Sequence, residues 1–465
     1  MIFEQENGTA PMRLLERGRF SCSCGREHSP GIDRVLIDCG AVRSLPELIR
    51  AYAGTRVFLL SGHDSFEAAG RQVISCLDEA GIPYSLRVFP HSPVKPTEET
   101  LGSALMHFDY DCDLIIGIGS GVINDTAKLL SRATDRTYLF VATAPSMDGF
   151  VSATSSMDRD GLKISLPSRA ASAVIADLDI LREAPLHLLR AGIGDMLAKT
   201  VSLCEWRLAR LIVGEYYCPE IADAVETALK RVLREAEALL RRETCAVRAV
   251  TEGLVLAGMA MNYAGISRPA SGMEHYFSHI WDMRALCFSD AGSDLHGIQT
   301  AIGTLYSLRA YEALLALQIH PDEKQAERYW QSFSLSAWNR ELEEFIGPGA
   351  QTMIQLEQKE QKYAPGNCRR RFSAIQSNWD SILAEISRLP SSAETERLMQ
   401  AVGLPTDAAY LGYDQKMLRR CLKMTGDLRD KYIGSRLFRD LGVLDVVAER
   451  TFPENPACNQ AHIPV

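Results

Sequence analysis

Much of what this chain lacks is informative. No hydrophobic run reaches the ~20 apolar residues that cross a bilayer, so no membrane-spanning helix is expected. A basic surplus is missing too. Lys and Arg number 50 against 59 Asp and Glu, a formal net charge of -9, which argues against a nucleic-acid surface. The N-terminus, Met1-Ile-Phe-Glu-Gln-Glu-Asn7, is polar and acidic and does not read as a signal peptide. Cysteine is too dilute for a disulfide scaffold, 12 in 465 residues, so reduced thiols in a cytoplasmic protein are expected. Internal repeats and low-complexity tracts are absent. Histidine is scarce at 10, yet three histidines fall within residues 275–296. The remaining composition, 46% hydrophobic and 23% charged, is that of a globular protein long enough for two or three domains.

Periodicity divides the chain near residue 185. Residues 1 to about 30 look irregular. Up to residue 185, short apolar runs alternate with helical patterns: strands are expected at 57–60, 84–89, 114–117 and 138–142, and helices at 66–79, 98–107 and 124–133. Residues 152–177 read as a β excursion, with strands at 163–166 and 173–177. Such alternation implies a parallel sheet covered on both faces. From 186 onward nearly every segment has helical period. The expected architecture is an α/β Rossmann-like N-terminal domain (31–185), preceded by an extension (1–30) and followed by an all-α domain (186–465).

Within the α/β half, Asp113–Lys128 runs from an apolar segment through Gly117, Gly119 and Gly121 into a helical pattern. Glycines there let backbone N–H groups approach a phosphate, and a helix starting after them adds its positive end. The spacing is G-x-G-x-G rather than G-x-G-x-x-G, and spacing alone fits a plain tight turn equally well. What adds weight is Thr143-Ala-Pro-Ser-Met-Asp-Gly149 after the next strand, because open parallel sheets bind ligands beyond the carboxyl ends of their strands.

In the helical half, Gly192-Ile-Gly-Asp195, Glu274-His275-Tyr-Phe-Ser-His279 and Leu295-His296-Gly297 offer cation ligands. One carboxylate and two imidazoles leave a coordination position for substrate. His275 and His279, four apart, share a helix face. An ordinary surface pair with a packed third imidazole fits these residues equally well. Cys22-Ser-Cys24 with His28 offers three soft ligands, but C-x-C is tighter than the usual spacing and no fourth ligand lies nearby. A structural turn with reduced thiols is expected there.

Taken together, Gly-Ser-Gly-Val-Ile-Asn-Asp (119–125), Thr-Ala-Pro-Ser-Met-Asp-Gly (143–149), Gly-Ile-Gly-Asp-Met-Leu-Ala-Lys (192–199), Glu-Trp-Arg (205–207), Ser-Gly-Met-Glu-His-Tyr-Phe-Ser-His (271–279) and Leu-His-Gly (295–297) resemble the bacterial sn-glycerol-1-phosphate dehydrogenases. That family lies within the wider group of iron-type alcohol dehydrogenases, glycerol dehydrogenase and dehydroquinate synthase. The resemblance spans roughly residues 30–450. It implies a dehydroquinate synthase-like fold, with NAD(H) on the 31–185 domain and one divalent metal (zinc, nickel or iron) with substrate on the 186–465 domain. Gly119, Gly121, Val122, Ile123, Asn124 and Asp125 would hold the pyrophosphate, Thr143, Ser146 and Ser152 would contact the cofactor, and Asp64 would accept from the adenosine ribose. Asp195, His275 and His296 would ligate the metal. Asp148, Asp195 and His279 would meet the substrate and act in catalysis.

The implied reaction interconverts dihydroxyacetone phosphate and sn-glycerol 1-phosphate. Arg268, Lys199, Lys163 and Arg169 are candidates for the substrate phosphate. Another polyol dehydrogenase or a dehydroquinate-synthase-like cyclase would use the same scaffold, and a non-catalytic NAD- or metabolite-binding protein is the reading outside enzymes. Apolar helix faces in the second half lead to the expectation of a homodimer, with no nucleic-acid or membrane partner.

Overall fold

A computed structural model describes residues 18–159 and 162–454. The strands, in chain order, are β1 (Phe20–Ser21), β2 (Glu27–His28), β3 (Arg34–Asp38), β4 (Val57–Gly62), β5 (Tyr84–Phe89), β6 (Leu114–Gly119), β7 (Thr137–Ala142), β8 (Thr154–Arg159), β9 (Leu162–Pro167) and β10 (Ala173–Asp177). Six of them form one sheet in the order β3-β10-β7-β6-β4-β5, with every pairing parallel. The fold class is α/β in the N-terminal part and largely helical beyond it, as expected.

Every residue of β4, β6 and β10 is buried. That is why these segments read as continuous apolar runs rather than alternating ones. Val57, Leu59, Ile116, Leu139 and Ile175 face a cluster with Leu45, Leu48, Val73 and Leu77 from the helices Leu45–Ala51 and Arg71–Glu79.

Several expectations change. Ala173–Asp177 is not part of the β excursion. It returns to the main sheet between β3 and β7, and the excursion is the antiparallel pair β8–β9. Of the N-terminal stretch expected to be irregular, residues 1–17 lie outside the described residues, and within 18–30 β1 and β2 pair as a hairpin. Residues 244–264 form a helix (Thr244–Ala264) long and apolar enough to span a membrane by length and composition, but 78% of its apolar window is buried inside the protein. It is a core helix.

The described chain divides into two compact units. The first comprises 1–199, 218–270 and 295–297, and the second 200–217, 271–294 and 298–465. The change from α/β to helix at residue 185 therefore does not coincide with this division, since the helices Pro219–Arg234 and Thr244–Ala264 belong to the first unit. The second unit is built of helices around buried carboxylates. Glu205 accepts from Met273 N and Gly434 N and from the Tyr311 hydroxyl, each at 2.8 Å. Arg371 grips Asp440 with two bonds of 2.7 Å.

Candidate active site

Strand order reverses once in the six-stranded sheet. The chain passes from β4 outward to β5, then returns to place β6 on the other flank of β4. A crevice opens at such a reversal beyond the carboxyl ends of the two strands. Two of the expected site segments meet there. Asp64 follows β4 in the short turn His63–Ser65, and Gly119 closes β6.

The helix after β6 begins at Gly121, with Ser120 as its cap, and runs to Thr134. It starts three residues before the expected position, and Gly117 is not in the turn at all: it sits mid-strand, opposite Phe140. Gly121, Val122 and Ile123 are thus the first-turn residues whose amides have no partner within the helix, while Asn124 N donates to Ser120 O at 3.0 Å. Gly119 is glycine for packing. A Cβ there would lie 2.6 Å from that of Ile123, so a side chain would push the helix off the strand that feeds it.

Asn124 and Asp125 hold structure as well. The Asn124 amide donates to Gly149 O at 3.0 Å and receives the Tyr138 hydroxyl at 2.7 Å. Asp125 accepts from Ser156 N and from Lys128 Nζ. Lys128, which the sequence reading did not single out, is wholly buried. Its ammonium donates to Gly149 O, Ser152 Oγ, Thr154 O and Asp125 Oδ1 at 2.6–3.1 Å. It pins the loop 149–154, and Ser152 with it, to the helix. Its only trace in the sequence is a lysine where the helical pattern wants an apolar residue.

Asp64 is exposed. Its carboxylate accepts from the Ser92 hydroxyl and contacts His63 Nδ1 at 3.2 Å. The Ser92 bond, then the His63 bond, hold it below the usual carboxylate range, so it is charged at neutral pH.

Thr143 and Ser146 lie in the loop after β7, both buried. Thr143 N donates to Gly119 O at 2.8 Å, which ties this loop to the glycine turn. Asp148 follows, and its own amide donates to Asp195 Oδ2 at 2.8 Å. Lys199, one helical turn beyond Asp195, donates to Asp195 Oδ1 at 2.8 Å and Asp148 Oδ2 at 2.6 Å. All three side chains are buried. Burial, then the neighbouring Asp195 charge, pushes the Asp148 carboxyl up, and Lys199 and His296 pull against that shift. Burial alone would lower the Lys199 ammonium, but Asp148 and Asp195 outweigh it and hold it above its ordinary value.

Asp195 and His296, both in the first unit, have ligand atoms within 4.8 Å of one another. The chemistry suits a divalent cation. A buried carboxylate and an imidazole are suitable cation ligands, and both Asp195 oxygens are held by donors, Asp148 N and Lys199 Nζ, as those of ligating carboxylates commonly are.

In the second unit, His275 and His279 stand one turn apart on the helix Met273–Cys287. His275 Nδ1 lies 2.9 Å from Glu274 Oε1. Donation from Nδ1 to that carboxylate makes Nε2 the nitrogen able to ligate, the usual carboxylate–histidine arrangement. The Glu205-Trp-Arg207 motif serves the helices: Glu205 as above, Trp206 through Tyr216 O at 2.5 Å and Arg207 through the Tyr217 hydroxyl.

Of the phosphate candidates, Lys199 is engaged as described. Arg169 pairs with Asp135 at 2.6 Å beside the amino end of β7, the edge of the sheet opposite the crevice.

The family described as iron-containing alcohol dehydrogenase matches residues 36–185. A glycerol-1-phosphate dehydrogenase [NAD(P)+] of Hyperthermus butylicus is 34% identical over 274 residues, 58% of this chain and 76% of the relative. One from Halalkalibacterium halodurans is 26% identical over 424 residues, 90% of this chain and 96% of the relative. Among solved structures, a probable glycerol dehydrogenase from Sinorhizobium meliloti (18% identity, TM-score 0.56, 90% of this chain and 98% of that one) and an iron-containing alcohol dehydrogenase from Corynebacterium glutamicum (14%, TM-score 0.58, 92% and 98%) share the fold.

Proposed function

The chain belongs to the glycerol-1-phosphate dehydrogenase family, and from that premise we propose that it interconverts dihydroxyacetone phosphate and sn-glycerol 1-phosphate with NAD(H) and one divalent metal. The observation that carries the reading is the buried Asp148–Lys199–Asp195 network beside His296, a preformed seat for a cation next to the cofactor crevice. Asp195, His275 and His296 would hold the metal. When bound, the cation supplies Lewis-acid polarisation at the substrate's C2 oxygen and the nicotinamide supplies or takes the hydride.

The rest is done by side chains and backbone. First-turn amides from Gly121 to Ile123 face the pyrophosphate with the positive end of their helix, and Asn124, Asp125, Thr143, Ser146 and Ser152 line its path. Asp64, being charged, accepts from ribose hydroxyls and repels a 2′-phosphate, which favours NAD over NADP. Asp148 orients the substrate hydroxyls while Lys199 holds it in register with Asp195. His279 moves the proton to and from the C2 oxygen. The reading carries with it a cytoplasmic location, which suits described cysteines that form no disulfide with one another, and a homodimer, to be checked by sedimentation-equilibrium or light-scattering mass.

The deciding experiment follows NADH loss with dihydroxyacetone phosphate after loading zinc, nickel or ferrous iron. Turnover is expected with at least one. Turnover of glycerol or another polyol without any of dihydroxyacetone phosphate would move the substrate assignment, and phosphate release without net NADH change would indicate a cyclase. Asp195→Asn is expected to lose metal and activity together. Full metal content at full rate in that variant would remove Asp195 from the ligand set.

A further inference from the structure

Cys22, Cys24 and His28 lack a fourth ligand in the local sequence, but the fold supplies one from 190 residues away. Cys218, the residue capping the helix Pro219–Arg234, brings its thiol to the same point. The four ligand atoms lie within 4.8 Å of one another. Cys22 Sγ is 3.6 Å from Cys218 Sγ, and His28 Nε2 is 3.3 Å from Cys24 Sγ and 3.7 Å from Cys218 Sγ. Around a tetrahedral zinc ion, bond lengths near 2.3 Å to sulfur and 2.05 Å to nitrogen place sulfurs ~3.8 Å apart and sulfur and nitrogen ~3.5 Å apart. The observed spacings are close to both.

We propose that Cys22, Cys24, His28 and Cys218 form a second metal site, a closed structural zinc centre that fastens the β1–β2 hairpin to the first unit. All four residues belong to that unit.

The surroundings support the assignment. His28 is wholly buried, and its Nδ1 lies 2.7 Å from Tyr263 O. Nδ1 must donate to that carbonyl, which turns the lone pair of Nε2 toward the thiols and fixes the tautomer a metal needs. Between the two cysteines the chain makes a tight turn: Gly25 N donates to Cys22 O and Cys22 N to Arg26 O, both at 3.0 Å, with Gly25 at φ 85°. Cys24 N points at Cys22 Sγ from 3.5 Å, as backbone amides do toward ligating thiolates.

Two strands of two residues each cannot hold a hairpin by themselves. Phe20 and His28 pack against the Tyr263 ring, and a cross-link to Cys218 would fasten the turn between the two strands as well. Three thiolates and one imidazole favour zinc over harder cations, and four protein ligands leave no position for substrate. One contact must change on binding: Glu220 Oε2 is 3.3 Å from Cys22 Sγ, and this half-buried carboxylate would turn away once Cys22 is a thiolate.

Sulfur separates this site from the Asp195, His275 and His296 set, so the test does not depend on dehydrogenase activity. The reduced full-length protein is exchanged with cobalt(II). A near-ultraviolet thiolate-to-cobalt charge-transfer band with strong tetrahedral visible bands is expected. The band should persist in Asp195→Asn and disappear in Cys218→Ser and in Cys24→Ser. Zinc analysis of Asp195→Asn should still return about one ion per chain. No charge-transfer band in the parent protein, a band that survives both cysteine substitutions, or a Cys22–Cys218 disulfide found by mass spectrometry of protein purified and alkylated without reductant would each overturn the proposal.

Discussion

Lys199 shows how one residue can stand in for chemistry not yet present. The sequence offers it, with Arg268, Lys163 and Arg169, as a candidate for the substrate phosphate. Its ammonium instead sits between Asp148 and Asp195. No spacing rule exposes this, since Asp148 lies 51 residues away on another element. The consequence is testable. Lys199→Met should strand two carboxylates in a buried setting, and breaking such a pairing costs about 3–5 kcal/mol. Urea unfolding of the metal-free variant should show that loss, with saturating divalent metal restoring part of it by binding only the folded state. A variant within about 1 kcal/mol of the parent would mean the two carboxylates do not depend on the Lys199 ammonium.

Elements behave differently from residues in what the sequence exposes. β4, β6 and β10 are legible because burial on both faces leaves apolar runs between polar turns, and β5, a largely half-buried edge strand, and β10 begin and end where the pattern says. The hairpin β1–β2 is illegible because two-residue strands carry no period. The early start of the helix at Gly121 is hidden because glycine disfavours helix interiors yet is tolerated in a first turn. The site segments were visible as motifs, but their mutual placement was not. Gly192 is the example: its Cα faces Pro145 O so closely that a Cβ would lie 2.0 Å from that oxygen and 3.0 Å from Val250 Cγ1. Helix and site loop are therefore in backbone contact between Thr143 and Asp148. Gly192→Ala should displace the loop, costing about 1–3 kcal/mol of stability. Because a shift near 1 Å at reacting groups can cost ~100-fold in rate, kcat should fall by that order. If turnover and denaturation midpoint both match the parent, the loop does not depend on this approach.

For the whole molecule, the most specific expectation concerns alkaline pH and arises far from the cofactor crevice. Lys362 is buried in the second unit, where its ammonium donates to Asp427 O at 3.2 Å and Arg429 O at 2.9 Å. Burial, with Arg436 adding to it, lowers its pKa from 10.5 to about 8, against the opposing pull of Asp427, Glu357 and Asp430. Below pH 8 the group is charged in both folded and unfolded chains, and the burial penalty is fully present. Between pH 8 and 10.5 the unfolded chain holds the proton that the folded chain has released, so this group makes stability rise with pH across that window. A displacement of this size corresponds to at most about 3 kcal/mol. Buried tyrosines such as Tyr306 and Tyr363 act in the opposite sense, because burial raises them and the unfolded chain ionises first. The bare profile of the parent therefore mixes both contributions, and the difference between parent and Lys362→Met isolates one. Urea midpoints measured from pH 7 to 10 should show the parent gaining on the variant as pH rises. A difference that stays flat, or that shrinks, would mean that Lys362 remains protonated in the folded chain throughout.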